Sequence, residues 1–565
     1  MAITCQYDQM KYPVFLGDLN WQTSIEAQLQ LPESLPKLGT IIGGDFHIGP
    51  SSVTVHEDFV VVAGKVYPQV LFLAELPEKY SKRQRTDEEL EAENGDIGEK
   101  SLPQEYGASW YGEAGINYEE RIDVTGVRPG MIVQVEVKAV RGGFEKESTS
   151  QIAFKGTLHI IVGSTSQSLA EFVSDIGAEA SRKLNLAKER LTVEEFLPPK
   201  KVTIPIHGNL LLPSHKPGVA RILKVSTRPV NVSHELSRGR LFVRGFVDVN
   251  LLYVGGDDEG NPTEIFANEW DSQAGLGIPF ETYLDLDEGN SDELLTLLKV
   301  NTRNGFVDPR TPHELQCLMD LDLEAEISRV YQKELVVDAV PDEGEILDCQ
   351  KYPLNIDEYN GNETGEISIE QEIALPDGLP GVDRILISTG TPVDVSVEAT
   401  DGKALVEGFL NLQLIYMSDG AKGTGIQIAN FDKNTENSIT VSGVIDFPTL
   451  QPGTLLQSDI RVESLRVEAL DERQLKIMGN FKIVVLARTP RVVFVMQDCA
   501  SVVPLDESSR PSMLFYVVQT EDTLWKIARR YQTTMETVIK ANSIANPENI
   551  AVGQKLLIPG KIFKR

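Results

Sequence analysis

Residues 217–253, PGVARILKVSTRPVNVSHELSRGRLFVRGFVDVNLLY, and residues 380–416, PGVDRILISTGTPVDVSVEATDGKALVEGFLNLQLIY, align without a gap at an offset of 163 positions. Pro217 falls on Pro380, Arg221 on Arg384, Pro229 on Pro392, Gly245-Phe246 on Gly408-Phe409 and Tyr253 on Tyr416. A fainter copy lies 181 positions upstream, with Pro36 and Gly64 under Pro217 and Gly245. Each copy is preceded by a Leu-Pro: Leu31-Pro32, Leu212-Pro213 and Leu375-Pro376. A repeat of this length means related structural units, so any fold must accommodate three of them.

Within the repeat, Leu241, Val243, Gly245, Val247, Val249 and Leu251 are apolar or small, while Arg240, Arg244, Asp248 and Asn250 take most of the other face. That period of two predicts half-buried strands. The Gly in each copy removes a side chain in mid-strand and predicts a bulge or a close backbone approach. The expected fold class is mainly β, with three repeated β modules, a helical spacer and a C-terminal βααβ domain.

Pattern shifts set the expected boundaries. Residues 1–19 read as an N-terminal arm and 20–165 as module one. Module one is interrupted at 79–105 by a block that runs from Lys79, Lys82, Arg83 and Arg85 into Asp87, Glu88, Glu89, Glu91 and Glu93. Such a charge block is expected to be solvated. In 166–199, Leu169, Phe172, Val173, Ile176, Ala180, Leu184, Ala187 and Leu191 recur in steps of three and four. That spacing predicts an amphipathic helix, capped by Ser168 and ended by Pro198-Pro199. Module two covers 200–335, a linker 336–362, module three 363–490, a second linker 491–513, and the terminal domain 514–560.

Charge narrows the choice of partners. The formal net charge is −31, which disfavours nucleic acid and anionic membranes. The acidity is uneven: residues 514–565 hold eight Lys/Arg against four Asp/Glu, or +4, leaving −35 for the rest. Cys5, Cys317, Cys349 and Cys499 are scattered without a Cys-x-x-Cys, as in a reducing compartment, and offer no metal framework. The start, MAITCQYDQMKYPVFLGD, lacks a basic segment leading into an apolar one, so export through a signal peptide is not expected. No run is long enough to insert in a membrane.

No Gly-x-Ser-x-Gly, phosphate-binding Gly-x-x-x-x-Gly-Lys, His-Glu-x-x-His or dinucleotide fingerprint is present, so neither catalysis nor a cofactor is expected. A hydrolase with an unrecognised site in a β module is the enzymatic alternative.

The tail, FYVVQTEDTLWKIARRYQTTMETVIKANSIANPENIAVGQKLLIP (515–559), reads as strand Tyr516–Gln519, helix Asp522–Arg530, a second helix capped by Thr534 and ending near Asn542, and a return strand at Leu556–Ile558. It resembles the LysM family. That resemblance implies a sugar groove between two loops, here Glu521, Asp522, Thr523 and Leu524 with Trp525 following, and Asn546, Pro547 and Ile550. Glu521 stands where the family usually has Gly, adding bulk and charge at the lip. Trp525 has core packing as its structural alternative. Lys526, Arg529 and Arg530 form a basic face suited to a protein partner.

The repeats resemble the SPOCS domain of spore-forming Firmicutes, carried by ILKVSTRPVNV (222–232) and VRGFVDVNLLYV (243–254). SPOCS modules followed by one LysM domain are similar to the SipL family of spore morphogenesis proteins. Membership would imply a non-enzymatic scaffold or adaptor for spore coat assembly, in the mother-cell cytoplasm at the forespore surface. Its partners would be a coat morphogenetic ATPase (SpoIVA-like), docked through LysM, and other coat proteins. The alternative is a spore-wall protein that binds peptidoglycan through N-acetylglucosamine.

Overall fold

The alternating pattern of the repeats is satisfied by antiparallel sheets along almost the whole chain. The computed structural model describes residues 3–75, 107–129, 131, 133–178, 184–257, 259–286, 294–341, 345–418, 425–435, 437–504, 513–520, 522–531, 533, 535–544, 546 and 550–559. The charged insertion at 79–105 lies outside them.

The first third of the chain forms β1 (Ile3–Gln30), β2 (Leu38–Ile48), β3 (Ser52–Val55), β4 (Phe59–Ala74), β5 (Gly107–Tyr111), β6 (Ile116–Asp123), β7 (Val133–Lys146) and β8 (Gln151–Ala178). The second forms β9 (Leu184–Phe196), β10 (Lys200–Leu211), β11 (Gly218–Ser237), β12 (Arg240–Gly256), β13 (Pro262–Trp270), β14 (Ile278–Asp285), β15 (Leu294–Pro309) and β16 (Glu314–Pro341). The third forms β17 (Glu345–Ala374), β18 (Arg384–Thr400), β19 (Lys403–Ser418), β20 (Gly425–Phe431), β21 (Ile439–Asp446), β22 (Leu455–Ala469) and β23 (Gln474–Pro504). Each third makes two sheets. One is β1-β8-β7, β10-β16-β15 or β17-β23-β22. The other centres on β4, β12 or β19, and β12 and β19 each pair with three neighbours: β11, β13 and β14, or β18, β20 and β21. The faces of the two sheets bury one core. In the second third, Leu241, Val243, Val247, Val249 and Leu251 of β12 pack with Leu315, Cys317, Met319, Leu321 and Leu323 of β16.

The two clear copies agree in register down to their irregularities. Strand β11 slips against β12 between Ile222 and Lys224 and between Val230 and Ser233; β18 slips against β19 between Ile385 and Ile387 and between Val393 and Ser396. Inside the second slip Asn231 and Asp394 take φ angles of 52° and 49°, a left-handed conformation that Asn and Asp tolerate better than most residues. Gly245 and Gly408 lie across from these bulges. A Cβ on Gly245 would sit 2.8 Å from the Phe280 ring, and one on Gly408 would sit 2.9 Å from Val395 Cγ2. The bulge and the close approach expected of this glycine are one feature.

The helical spacer expected at 166–199 is not formed: residues 166–178 complete β8 and 184–196 make β9. A bulge explains the misleading spacing. Strand β8 slips against β1 between Val173 and Asp175, and a one-residue slip exchanges the faces of a strand. Ala170 and Phe172 are buried before it and Val173 and Ile176 around it, a mixture that mimics helical steps. The arm at 1–19 and the linkers at 336–362 and 491–513 are likewise strand where described: they continue β1, β16, β17 and β23.

These extensions have a common purpose. They pair as three ribbons, β1 with β8, β9 with β16, and β17 with β23. The ribbons share a core of Met10, Phe172, Leu191, Val193, Leu335, Ile356 and Val495, drawn from all three thirds of the chain. A buried side chain of this kind contributes roughly 1.5–3 kcal/mol, so the ribbons form a trunk that clamps the three units together. Elsewhere the central sheets meet around Leu71, Leu223, Leu252, Ile387 and Ile415. Beside this plug, Lys224 Nζ donates to Asp45 of the first third and, at 3.1 Å, to Gln413 Oε1 of the last. One lysine thereby ties all three units.

Candidate binding site in the C-terminal domain

The C-terminal domain is a two-stranded sheet, β24 (Met513–Val517) against β25 (Lys555–Pro559), with helices α1 (Leu524–Arg530) and α2 (Met535–Asn542) between them. Leu524, Ile527, Ala528, Val538, Leu556 and Ile558 are buried in one core, with Tyr516, Met535, Ile539 and Ile550 packed against it. The βααβ order matches the sequence reading, with the first strand starting at Met513 rather than Tyr516.

The first loop is held by its own side chains. Asp522 Oδ2 accepts from the Tyr516 hydroxyl at 2.5 Å and from the Gln519 amide at 2.8 Å. These bonds hold the Asp522 carboxyl below its usual range. Thr523 Oγ1 accepts from the Lys526 amide at 3.1 Å, capping α1. Leu524 turns into the core, whereas Trp525 keeps part of its surface exposed. On the second loop Asn546 is exposed and Ile550 packs against the same core as Leu524. The two loops are therefore anchored to one apolar centre. Glu521, Pro547, Thr534 and the side chain of Arg529 lie outside the described residues.

Of the basic face, Lys526 is exposed. Arg530 donates from Nη1 to the Tyr516 hydroxyl at 2.6 Å, with its guanidinium carbon 5.5 Å from the centre of that ring. The residues form a relay, Arg530 to Tyr516 to Asp522, that ties the helix to the first loop. Sequence reasoning missed Tyr516 as a site residue, though its place just before the loop was visible. It also missed Asn542, whose amide donates to Val538 O and Leu557 O at 2.8 and 2.7 Å and accepts from the Leu557 amide at 2.7 Å. Nothing in the local pattern marks Asn542, because the partner that ties it to β25, Leu557, lies fifteen residues away. No helix among the described residues is long and apolar enough to cross a membrane.

Residues 516–559 match the model of the LysM domain, and residues 381–470, within the last third of the repeat region, match that of the SipL SPOCS domain. The cortical fragment-lytic enzyme of Bacillus subtilis (strain 168) is 45% identical over 47 residues, 8% of this chain and 11% of that enzyme. The spore coat assembly protein ExsA of Bacillus cereus is 42% identical over 50 residues, 9% of this chain and 8% of that protein. The match therefore covers no more than 11% of the length of either relative. No solved structure matches the chain. The chain carries a SPOCS domain of the SipL type at residues 381–470 and a LysM domain at residues 516–559.

Proposed function

We propose that this protein is a non-enzymatic scaffold of spore coat assembly, acting in the mother-cell cytoplasm at the forespore surface. The observation that carries the reading is the union in one chain of a SipL-type SPOCS domain with a LysM domain. The similarity of a short segment to a spore coat assembly protein supports it. The three β units, clamped by the trunk, supply an acidic surface for other coat proteins. The LysM module, of opposite charge, docks a coat morphogenetic ATPase through the exposed side of α1, where Lys526 stands. Complementary charge of this kind speeds encounter and fixes orientation more than it adds affinity.

The test is co-purification of that ATPase with the full chain and with a chain ending at residue 509. Capture by the full chain alone is expected; equal capture by both would sink the docking role of LysM.

A second reading is peptidoglycan binding, favoured by the LysM match itself and by the similarity to a cortical fragment-lytic enzyme. Glu521, standing in the sequence where the LysM family usually has Gly, ranks it second. Binding of N-acetylglucosamine oligomers by the full chain, lost on truncation at 509, would promote it.

A further inference from the structure

The three units enclose a chamber of about 2020 Å³ that opens to solvent beside the plug. It is lined from all three thirds of the chain: β2, β5 and β7, then β11 and β15, then β18 and β20. Small-molecule pockets are commonly about 300–1,000 Å³, so this space suits an extended ligand of several units.

Its chemistry is specific. Three of the cations on its wall are matched to a carboxylate: Lys224 to Asp45, Arg228 to Asp248 at 3.3 Å, and Arg303 to Asp322 at 2.9 and 3.1 Å. An anionic ligand would have to compete with those pairs. Arg221, His47, Glu113 and Asp432 also line the chamber, a balance of signs, and the rest of its polar wall is amide, hydroxyl and aromatic. Gln69, Asn250 and Gln413 hold the same register on the three central strands, opposite Asp45, Ser226 and Thr389. The rings of Tyr67 and Tyr111 stack at 6.2 Å with 12° between their planes. Phe306 stands 58% exposed at a bulge of β15.

We propose that this chamber binds a neutral oligosaccharide, with sugar faces against Phe306 and Tyr111 and sugar hydroxyl and acetamido groups on the amides. Rings that are apolar on their faces, next to uncharged hydrogen-bonding groups, suit a ligand with apolar C–H faces and a polar rim. The site is separate from the LysM groove and does not rest on what that groove binds.

The test is hydrogen–deuterium exchange of the full chain with and without N-acetylglucosamine hexamer. Slowed exchange is expected in β5 and in 222–228 of β11, whatever happens in 513–559. The Phe306→Ser variant, altered only at an exposed side chain, should keep its circular dichroism and bind the hexamer at the chamber about tenfold more weakly. Protection confined to 513–559, or none at all, overturns the proposal. So does protection of β5 and β11 by a neutral serine- and asparagine-rich peptide but not by the hexamer, which would assign the chamber to polypeptide. Because the LysM readout falls on separate segments, failure here leaves the proposed function standing.

Discussion

Arg488 Nε donates to Glu194 Oε2 at 2.7 Å, and both side chains are almost wholly buried, at 7% and 1% exposed. The pair joins β9, at the root of the trunk, to β23 in the last third of the chain. It is fully supported: Ser328 donates to the other Glu194 oxygen at 2.7 Å, and Arg488 Nη1 donates to Gln457 Oε1 at 3.0 Å. Removing one partner of such a pair leaves an uncompensated charge and costs about 3–5 kcal/mol, whereas replacing both with apolar groups is often neutral. Glu194→Ala should therefore lower the urea midpoint strongly. Glu194→Leu combined with Arg488→Met should recover most of the loss, and a double variant no better than the single would show that the pair is not the clamp.

Asp45 is an acid-sensitive point where the three units meet. Burial pushes its carboxyl up, but Lys224 and His47 outweigh that and hold it below its usual range. A carboxyl lowered by folding stabilises above the unfolded value of about 3.9 and loses that contribution as pH falls through the folded value. In Lys224→Met the lysine's charge and hydrogen bond are gone, burial becomes the dominant influence, and the carboxyl should rise above its unfolded value. The sign then reverses: the variant is penalised at neutral pH and closes on the wild type as pH drops toward 4. A constant difference between the two midpoints from pH 7 to pH 4 would refute this account.

Tyr253 and Tyr416 test whether the copies are energetically as well as geometrically alike. Their hydroxyls donate to Pro217 O at 3.2 Å and Pro380 O at 2.8 Å, closing the repeated segment end to end. Burial pushes both phenols up to about 12. Phe at either position should cost about 1 kcal/mol. The phenols of the wild type should contribute stability below pH 10 and lose it as pH rises toward 12. Ultraviolet titration should count two fewer late-ionising tyrosines in the double variant than in the wild type.

The sequence made part of this legible. The ungapped offset of 163 placed Gly245 with Gly408 and Tyr253 with Tyr416, because an alternating strand carries its register in its own residues. The terminal domain was legible for the same reason, its helices showing in Leu524, Ile527 and Ala528. The ribbon at 166–196 was not, since the slip at Val173 disguises a strand and its partner residues lie over a hundred positions away. The tie of Lys224 to Asp45 and Gln413 spans 179 and 189 positions, and no local pattern encodes it. The polar contacts of the first LysM loop were read only in part, because the Arg530–Tyr516–Asp522 relay depends on a helix folding back over the first strand.

That relay separates the two readings of the LysM module. A neutral sugar held by hydrogen bonds in a shallow groove should bind with little dependence on salt. An acidic protein partner drawn to the exposed side of α1 should be released as salt rises, because exposed charges are screened over about 8 Å at physiological ionic strength. Lys526→Glu should weaken capture of the coat ATPase by the full chain, chiefly by slowing association, and leave hexamer binding in 513–559 nearly unchanged. Tyr516→Phe should act the other way: it removes the hydroxyl that links Arg530 to Asp522 and loosens the first loop. Because the Asp522 carboxyl is held low by Tyr516 and the Gln519 amide, the order of that loop should persist on acidification to below the usual carboxylate range. In Tyr516→Phe it should be lost at higher pH. Surface plasmon resonance at two salt concentrations, with both variants against both ligands, resolves the choice. Salt-independent capture of the ATPase, undiminished by Lys526→Glu, would remove the electrostatic docking of α1 and leave the sugar groove as the leading use of the module.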